Sequence, residues 1–135
     1  MLLLLAGCGQ KQTVEKIEPY NPDIPLINGT YTITGDPDDN GVFATHSITI
    51  ENGQINQSQF SYYDAKGFEV SKQNETLEKY TDELNQKLLR SKDPDTWTTS
   101  DQKISSDFQA LSIRLIQNAQ KGNDVPDHLF LNQPN

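Results

Sequence analysis

The stretch SITIENGQINQSQFSYY, residues 47–63, decides the fold of this chain. Polar and apolar residues alternate up to Glu51, as they do in a strand with one buried face. Asn52-Gly53 follows, and a two-residue hairpin turn favours this pair because both of its positions need positive φ angles. The stretch therefore predicts a strand over 42–51, a tight turn, and a returning strand over 54–63.

A further strand precedes this hairpin. Tyr31 and Ile33 alternate with Thr30, Thr32 and Thr34, which is the pattern of a half-buried strand with β-branched residues. Residues 29–63 therefore predict a three-stranded antiparallel meander.

The loop between the first two predicted strands is acidic and carries the sequence GDPDDNG, residues 35–41. Its aspartates match the first half of a calcium-binding loop, but the twelfth position, which should be a bidentate carboxylate, is Ser47. A turn is therefore predicted, since turns also favour Asp, Asn and Gly. The alternative is an irregular cation site formed by Asp36, Asp38 and Asp39.

Two amphipathic helices are predicted after the meander. The first covers about residues 75–90 and the second about 105–120, each with one apolar stripe. The stripes consist of Leu77, Tyr80, Leu84 and Leu88, and of Phe108, Leu111, Leu115 and Ile116. Ser105, Ser106 and Asp107 are predicted to cap the start of the second helix, and Gly122 its end.

These elements predict an α+β fold in which an antiparallel β-meander packs against two helices, both on one face of the sheet. The chain has 135 residues, enough for one small domain with tails. We place this domain at residues 28–121 and a C-terminal tail at 122–135. The tail has enough apolar residues to pack an end against the domain.

The charge balance argues against a nucleic-acid partner. Eleven basic residues stand against nineteen acidic ones, for a net charge of -8. Binding to a phosphate backbone depends on clustered cations, which this chain lacks. Anionic membranes should also be repelled, so membrane attachment would need an apolar or covalent anchor.

The N-terminus suggests such an anchor. Residues 1–8 end in Leu-Ala-Gly-Cys, similar to the lipobox of bacterial lipoproteins, in which the cysteine is acylated. Cys8 is the only cysteine, so no intrachain disulfide is predicted. Residues 9–27 are polar with three prolines and predict a flexible tether. The expected location is the outer face of the cytoplasmic membrane, with Cys8 carrying the lipid, for example palmitate.

No catalytic or metal motif stands out in the sequence. The two histidines, His46 and His128, have no His or Cys companions at zinc-binding spacing, and a bland strand or surface role is predicted for each. The chain has no nucleophile motif and no glycine-rich phosphate loop. The sequence therefore predicts neither catalytic residues nor a bound metal.

The order of elements resembles a known family. The lipobox and tether, the segment from Asn28-Gly29-Thr30-Tyr31 to Asn52-Gly53, and the two helices are similar to the FMN-binding-domain lipoproteins of Gram-positive bacteria. These include pheromone-precursor and extracellular electron-transfer flavin lipoproteins. The resemblance covers about residues 28–119 and implies a flavin site at the start of the last helix.

The flavin motif of that family, D-x-x-[ST]-G-A-T, would lie over residues 96–102. Thr99 matches its hydroxyl position, but Ser100, Asp101 and Gln102 replace Gly, Ala and Thr. Small residues there let backbone amides approach a phosphate, and Asp101 adds a negative charge instead. The resemblance thus implies a degenerate site, whose candidate binding residues are Trp97, Thr98, Thr99 and Ser100.

Trp97 has two interpretations. Its ring could stack on a planar ligand, or it could fill the core of a small domain, which is the commoner role of tryptophan. The hydroxyls after it could equally cap the last helix.

Three functions follow from these observations. The first is a surface-anchored, non-catalytic module that binds a small planar ligand or a surface protein, with no cofactor expected. The second is an electron-transfer flavoprotein with FMN as its cofactor. The third is a carrier of a pheromone peptide released from the leader that ends in residues 2–7.

Overall fold

The computed structural model describes residues 17–132 as a four-stranded sheet covered on one face by two helices. The strands lie in the order β3-β2-β1-β4, with β4 parallel to β1 and the other neighbours antiparallel. The predicted α+β meander with two helices is confirmed. The elements are β1 (Gly29–Gly35), β2 (Phe43–Glu51), β3 (Gln54–Tyr63), α1 (Glu75–Arg90), α2 (Gln102–Lys121) and β4 (Asp127–Leu129).

The predicted hairpin turn is present between β2 and β3. Asn52 has φ 54° and Gly53 has φ 74°, the positive values that this turn requires. A bulge then shifts the register: Thr49 pairs with Gln57 but Ile50 pairs with Ile55. The extra residue brings both Ile55 and Phe60 to the helix side, although their spacing breaks strict alternation.

The core lies between the sheet and the helices. The inward side chains of β1 and β2 alternate with outward threonines and serines, and the apolar stripes of α1 and α2 cover them. The largest fully buried side chains are Trp97, Tyr31, Phe60, Phe108, Ile33, Ile48, Ile50, Leu84, Leu88, Leu111, Leu115 and Ile116.

The N-terminal cap of α2 differs from the prediction, whereas its C-terminal cap does not. The carboxylate of Asp101 accepts a hydrogen bond from Ile104 N at 2.9 Å, so α2 begins at Gln102 and not near Ser105. Ser105, Ser106 and Asp107, the predicted caps, all lie within this helix, and Ser105 and Asp107 are buried. Gly122 ends the helix with φ 71°, as predicted. Asn74 caps α1 by accepting a hydrogen bond from Leu77 N.

The C-terminal tail contains the fourth strand, which the sequence analysis did not predict. Leu129 is buried, and its carbonyl accepts a hydrogen bond from Asp36 N at 3.1 Å. The Asp36 carboxylate in turn accepts hydrogen bonds from the backbone of Leu131 and Asn132. The acidic loop thus holds the tail through Asp36, while the Asp38 carboxylate accepts bonds from the backbone of its own turn.

The segment before β1 differs from the predicted tether in its described part, residues 17–27. Leu26 is buried, and Ile17 and Tyr20 pack against the core. Ile27 N donates to Ala119 O at 2.9 Å, and the side chain of Gln117 donates to Glu18 O. The apolar residues among the prolines are enough to dock this segment on α2.

The lipobox lies outside the described residues, as does the first part of the predicted tether. Among residues 17–132, no helix has both the length and the apolar character needed to cross a membrane.

Candidate functional site

The residues predicted to bind a ligand lie in the segment that links a short 3-10 turn, Pro94–Thr96, to α2. The structure brings Thr99 and Ser100 to the N-terminus of α2 and places Thr98 on the surface beside α1. It separates Trp97 from them, because that ring points into the core. The four candidates therefore do not line a common cavity in the described structure.

Trp97 is fully buried, with 0% of its surface exposed. Its indole Nε1 donates a hydrogen bond to Ser91 O at 2.9 Å, and its ring meets Phe108 edge to face with centroids 6.0 Å apart. The indole thus joins the end of α1 to the inward face of α2. It leaves no ring face for a planar ligand.

The three hydroxyl residues after Trp97 are tied to protein partners. Thr99 N donates to Ser105 Oγ at 2.8 Å, and Thr99 Oγ1 accepts a bond from Asp101 N at 3.2 Å. Ser100 Oγ donates to Tyr80 OH at 3.0 Å. Thr98 contributes its carbonyl, which accepts a 2.6 Å hydrogen bond from Lys87 Nζ. Such bonds hold the linker against α1 and the first turn of α2.

The N-terminus of α2 is the place where a phosphate would be held in a site of the flavin type. Here the Asp101 carboxylate occupies it through the bond to Ile104 N. A cleft of about 180 Å³ beside this turn is lined by further carboxylates, those of Asp38 and Asp107, and by Lys103. Its charge is therefore unfavourable to an anion.

Asp107 forms the buried wall of that cleft. One oxygen accepts a 2.8 Å bond from Tyr62 OH, and the other lies 2.6 Å from Lys103 Nζ. Burial raises the pKa of Asp107, although the bond from Lys103 opposes the shift. Burial also raises the pKa of Tyr62, and the neighbouring Asp107 adds to the rise. The tyrosine thus stays protonated and donates to the carboxylate.

A second polar cluster, centred on His46, lies in the core. His46 is fully buried on the inward face of β2, with Nε2 2.8 Å from Ser58 Oγ and Nδ1 3.2 Å from Ser112 Oγ. Burial lowers the pKa of His46 to about 3, so the ring is neutral. A histidine beside a serine hydroxyl invites comparison with a nucleophile and its base.

The hydrogen bonds around Ser58 exclude that role. The side-chain amide of Asn85 pairs with the Phe60 backbone, accepting from Phe60 N and donating to Phe60 O. Its oxygen therefore faces Ser58, and the serine hydroxyl donates to it at 2.7 Å. A hydroxyl has one proton to give, so His46 Nε2 must donate to Ser58. The imidazole thus has no lone pair toward Ser58 and cannot act as its base.

The sequence predicted only an ordinary strand or surface position for His46. In the structure its side chain belongs to a hydrogen-bond network that joins β2, β3, α1 and α2. The signal was in the sequence, because His46 shares the inward parity of Ala44, Ile48 and Ile50. Ser58 and Asn85 gave no comparable signal, since polar residues at strand and helix edges are common. Among residues 17–132 no group of three or more potential metal ligands was found.

Comparison with known proteins identifies the fold but not a family. No family model matches the chain, and no curated protein does so. A crystal structure of the CPE2226 protein from Clostridium perfringens is similar, with a TM-score of 0.67 and 20% identity. The match covers 78% of this chain and 98% of that one. At this identity the likeness supports the shared architecture and no activity.

Proposed function

We propose that the chain is a cell-surface lipoprotein whose α+β domain binds a ligand or partner without catalysis or a flavin. The observation that carries this proposal is the Asp101 carboxylate at the N-terminus of α2. It takes the position in which the resembling flavin lipoproteins would hold a phosphate.

The charge at this helix end weighs against FMN. A helix N-terminus attracts an anion through its unpaired N–H groups and its dipole. Asp101 satisfies one of those groups and supplies the negative charge itself, while Asp38 and Asp107 add charge nearby. A phosphate would have to displace a capping carboxylate and bear the repulsion of two others.

The second requirement of a flavin site, a surface for the ring system, also finds no support at the predicted residues. Trp97 is enclosed by α1 and α2. Ser100 and Thr99 use their side chains for bonds within the protein. The case for a non-catalytic module is strengthened by the locked Ser58 hydroxyl.

Fluorescence titration of FMN with the purified protein tests this proposal. We expect no quenching of flavin fluorescence at micromolar protein, because phosphate binding is opposed. Asp101→Ala removes the blocking charge, so any quenching should be stronger with this variant than with its matched control. That control is Asp95→Ala, on the exposed turn before Trp97. Saturable quenching by the unmodified protein would refute the proposal.

The lipid anchor at Cys8 is the second part of the proposal. It is supported by the Leu-Ala-Gly-Cys sequence, and labelling cells with an alkyne analogue of palmitate tests it. We expect label in the membrane fraction for the unmodified protein and none for Cys8→Ser. Equal labelling of the two proteins would exclude Cys8 as the acylated residue.

A further inference from the structure

The face of the sheet opposite the helices carries a regular array of uncharged polar side chains. All nine belong to threonine, serine or glutamine, and each is at least partly exposed in the described structure. They form three cross-strand rows: Thr30, Thr49 and Gln57; Thr32, Ser47 and Gln59; Thr34, Thr45 and Ser61. We call this array the hydroxyl face.

Two of the rows are ordered by their own hydrogen bonds, and in the third row Ser61 Oγ donates to the Glu69 carboxylate at 2.6 Å. Thr32 Oγ1 and Ser47 Oγ are 2.9 Å apart, and Thr30 Oγ1 and Thr49 Oγ1 are 3.4 Å apart. Neighbouring groups lie about 4.8 Å apart across strands and about 6.8 Å apart along them, as sheet geometry dictates. The face therefore presents fixed donors and acceptors at regular spacing. Pre-ordered groups lose less entropy when they bind a partner.

The absence of charge on these nine side chains is informative because the chain as a whole is acidic. It has eleven basic and nineteen acidic residues, yet none stands in the three rows. A nucleic acid or an acidic polymer would find no cation there. The chemistry that complements this face is a neutral partner rich in hydroxyl and amide groups.

An aromatic pair borders the array at the end of the hairpin strands away from the turn. Phe43 and Tyr63 are cross-strand neighbours on the same face, with ring centroids 6.1 Å apart and planes 24° apart. Aromatic rings give an apolar platform beside polar groups, which suits a molecule with apolar and polar faces. Sugar rings have this character, since their C–H groups and hydroxyls lie on different sides.

A groove extends the face past the edge of β3. It has a volume of about 620 Å³ and runs between Tyr63, Ser61 and Gln59 on the sheet and Asn85 and Gln86 on α1. The charged side chains of Glu69, Lys72 and Asp82 also line it. Ser47, Gln59 and Ser61 belong to both the groove and the array, and this continuity suits an extended chain of several units.

We propose that the hydroxyl face, with the Phe43–Tyr63 pair and this groove, binds a neutral polysaccharide strand. The inference rests on the proposed function and names the ligand class of the binding module. A second copy of the chain is a poorer occupant. The cores of protein interfaces are apolar, whereas two copies that met through this face would bury little apolar area. A neutral glycan can satisfy the exposed hydroxyls with its own.

Calorimetric titration with two neutral hexasaccharides, chitohexaose and cellohexaose, tests the proposal. We expect saturable binding of at least one of them. Thr45→Val removes a hydroxyl from the array while keeping a β-branched side chain, and Gln59→Glu puts a charge in the central row. Each should weaken binding at least tenfold, whereas Thr76→Val on exposed α1 surface should change it less than twofold.

Circular dichroism and thermal unfolding would show that the variants are folded, and Gln59→Glu tests the face if Thr45→Val is not. The proposal is overturned if neither saccharide binds at millimolar concentration, or if both sheet variants bind as the unmodified protein does. Self-association that Gln59→Glu abolishes would also overturn it, in favour of a second copy. FMN titration of the same sample separates the outcomes, since flavin binding would refute the proposed function, whereas loss of saccharide binding alone would refute only this inference.

Discussion

His46 Nδ1 lies 3.2 Å from Ser112 Oγ, and this buried contact ties the second strand of the sheet to the last helix. Ser112 and His46 are both fully buried. Through Nε2 the same ring reaches Ser58 and, beyond it, Asn85 on α1. One side chain thus connects both helices to the sheet.

The neutral His46 should make stability depend on pH. Its pKa is about 3 in the folded protein and about 6.5 unfolded. Between these values the unfolded chain binds the extra proton, so stability falls as pH falls below 6.5. We expect this group to contribute a loss of about 2 kcal/mol between pH 7 and pH 5, measured by urea unfolding.

The control for this prediction is the double variant His46→Phe/Ser112→Ala. It removes the titratable imidazole together with the Ser112 hydroxyl, which the loss of the imidazole would otherwise leave unpaired. Its stability should lack that part of the pH dependence, while His128 remains in both proteins. Burial raises the pKa of Asp107, whose protonation acts in the opposite direction and is also common to both. An identical pH dependence of the two proteins would contradict the neutral-histidine account.

Trp97→Phe should destabilise the domain by about 1–3 kcal/mol through a cavity and the loss of the bond to Ser91 O. Urea unfolding followed by circular dichroism measures the change. Phe68→Leu is the matched control, because Phe68 is 57% exposed and should change stability by less than about 0.5 kcal/mol. Equal stability of the Trp97 variant and the unmodified protein would show that the indole is not a core residue.

The cap of α2 predicts a graded response at Asp101. Asp101→Ala should cost about 1 kcal/mol because Ile104 N loses its acceptor, whereas Asp101→Asn should cost only a few tenths. Thermal unfolding of the two variants measures the difference. If alanine is as stable as asparagine at this position, the carboxylate does not cap the helix.

The docked segment before β1 gives a fourth stability test. Leu26→Ala should cost about 2–3 kcal/mol, since Leu26 is only 8% exposed and Ile27 N beside it bonds to Ala119 O. Ile24→Ala, at a side chain that is 45% exposed, should stay within about 0.5 kcal/mol. Similar small effects at both positions would mean that the segment behaves as the tether that its composition suggests.

The local signals in the sequence predicted most of the fold. The Asn52-Gly53 turn and the stripes of the two helices depend on neighbouring residues, and these elements are present. The strand β4 has only three residues and is held by Asp36, about ninety residues away. A local sequence pattern therefore could not predict it. The docking of residues 17–27 is likewise a tertiary effect, which composition could not reveal.

The candidate site was harder to predict because residue types alone do not fix the direction in which each side chain points. Trp97 and the hydroxyls after it are adjacent in sequence, yet the indole enters the core while Thr98 stays on the surface. Asp101 could equally have been a surface charge or a cap. The hydroxyl face escaped notice because the outward residues of three strands form an array only once the register is known.

We propose that this domain holds no flavin, and the intact mass of the full chain isolated from membranes of its native host tests this proposal most directly. We expect the mass of the mature chain with its lipid and no visible flavin absorption. A mass increase equal to FMN less the water lost on forming a phosphoester, or a yellow protein that releases FMN on denaturation, would contradict it.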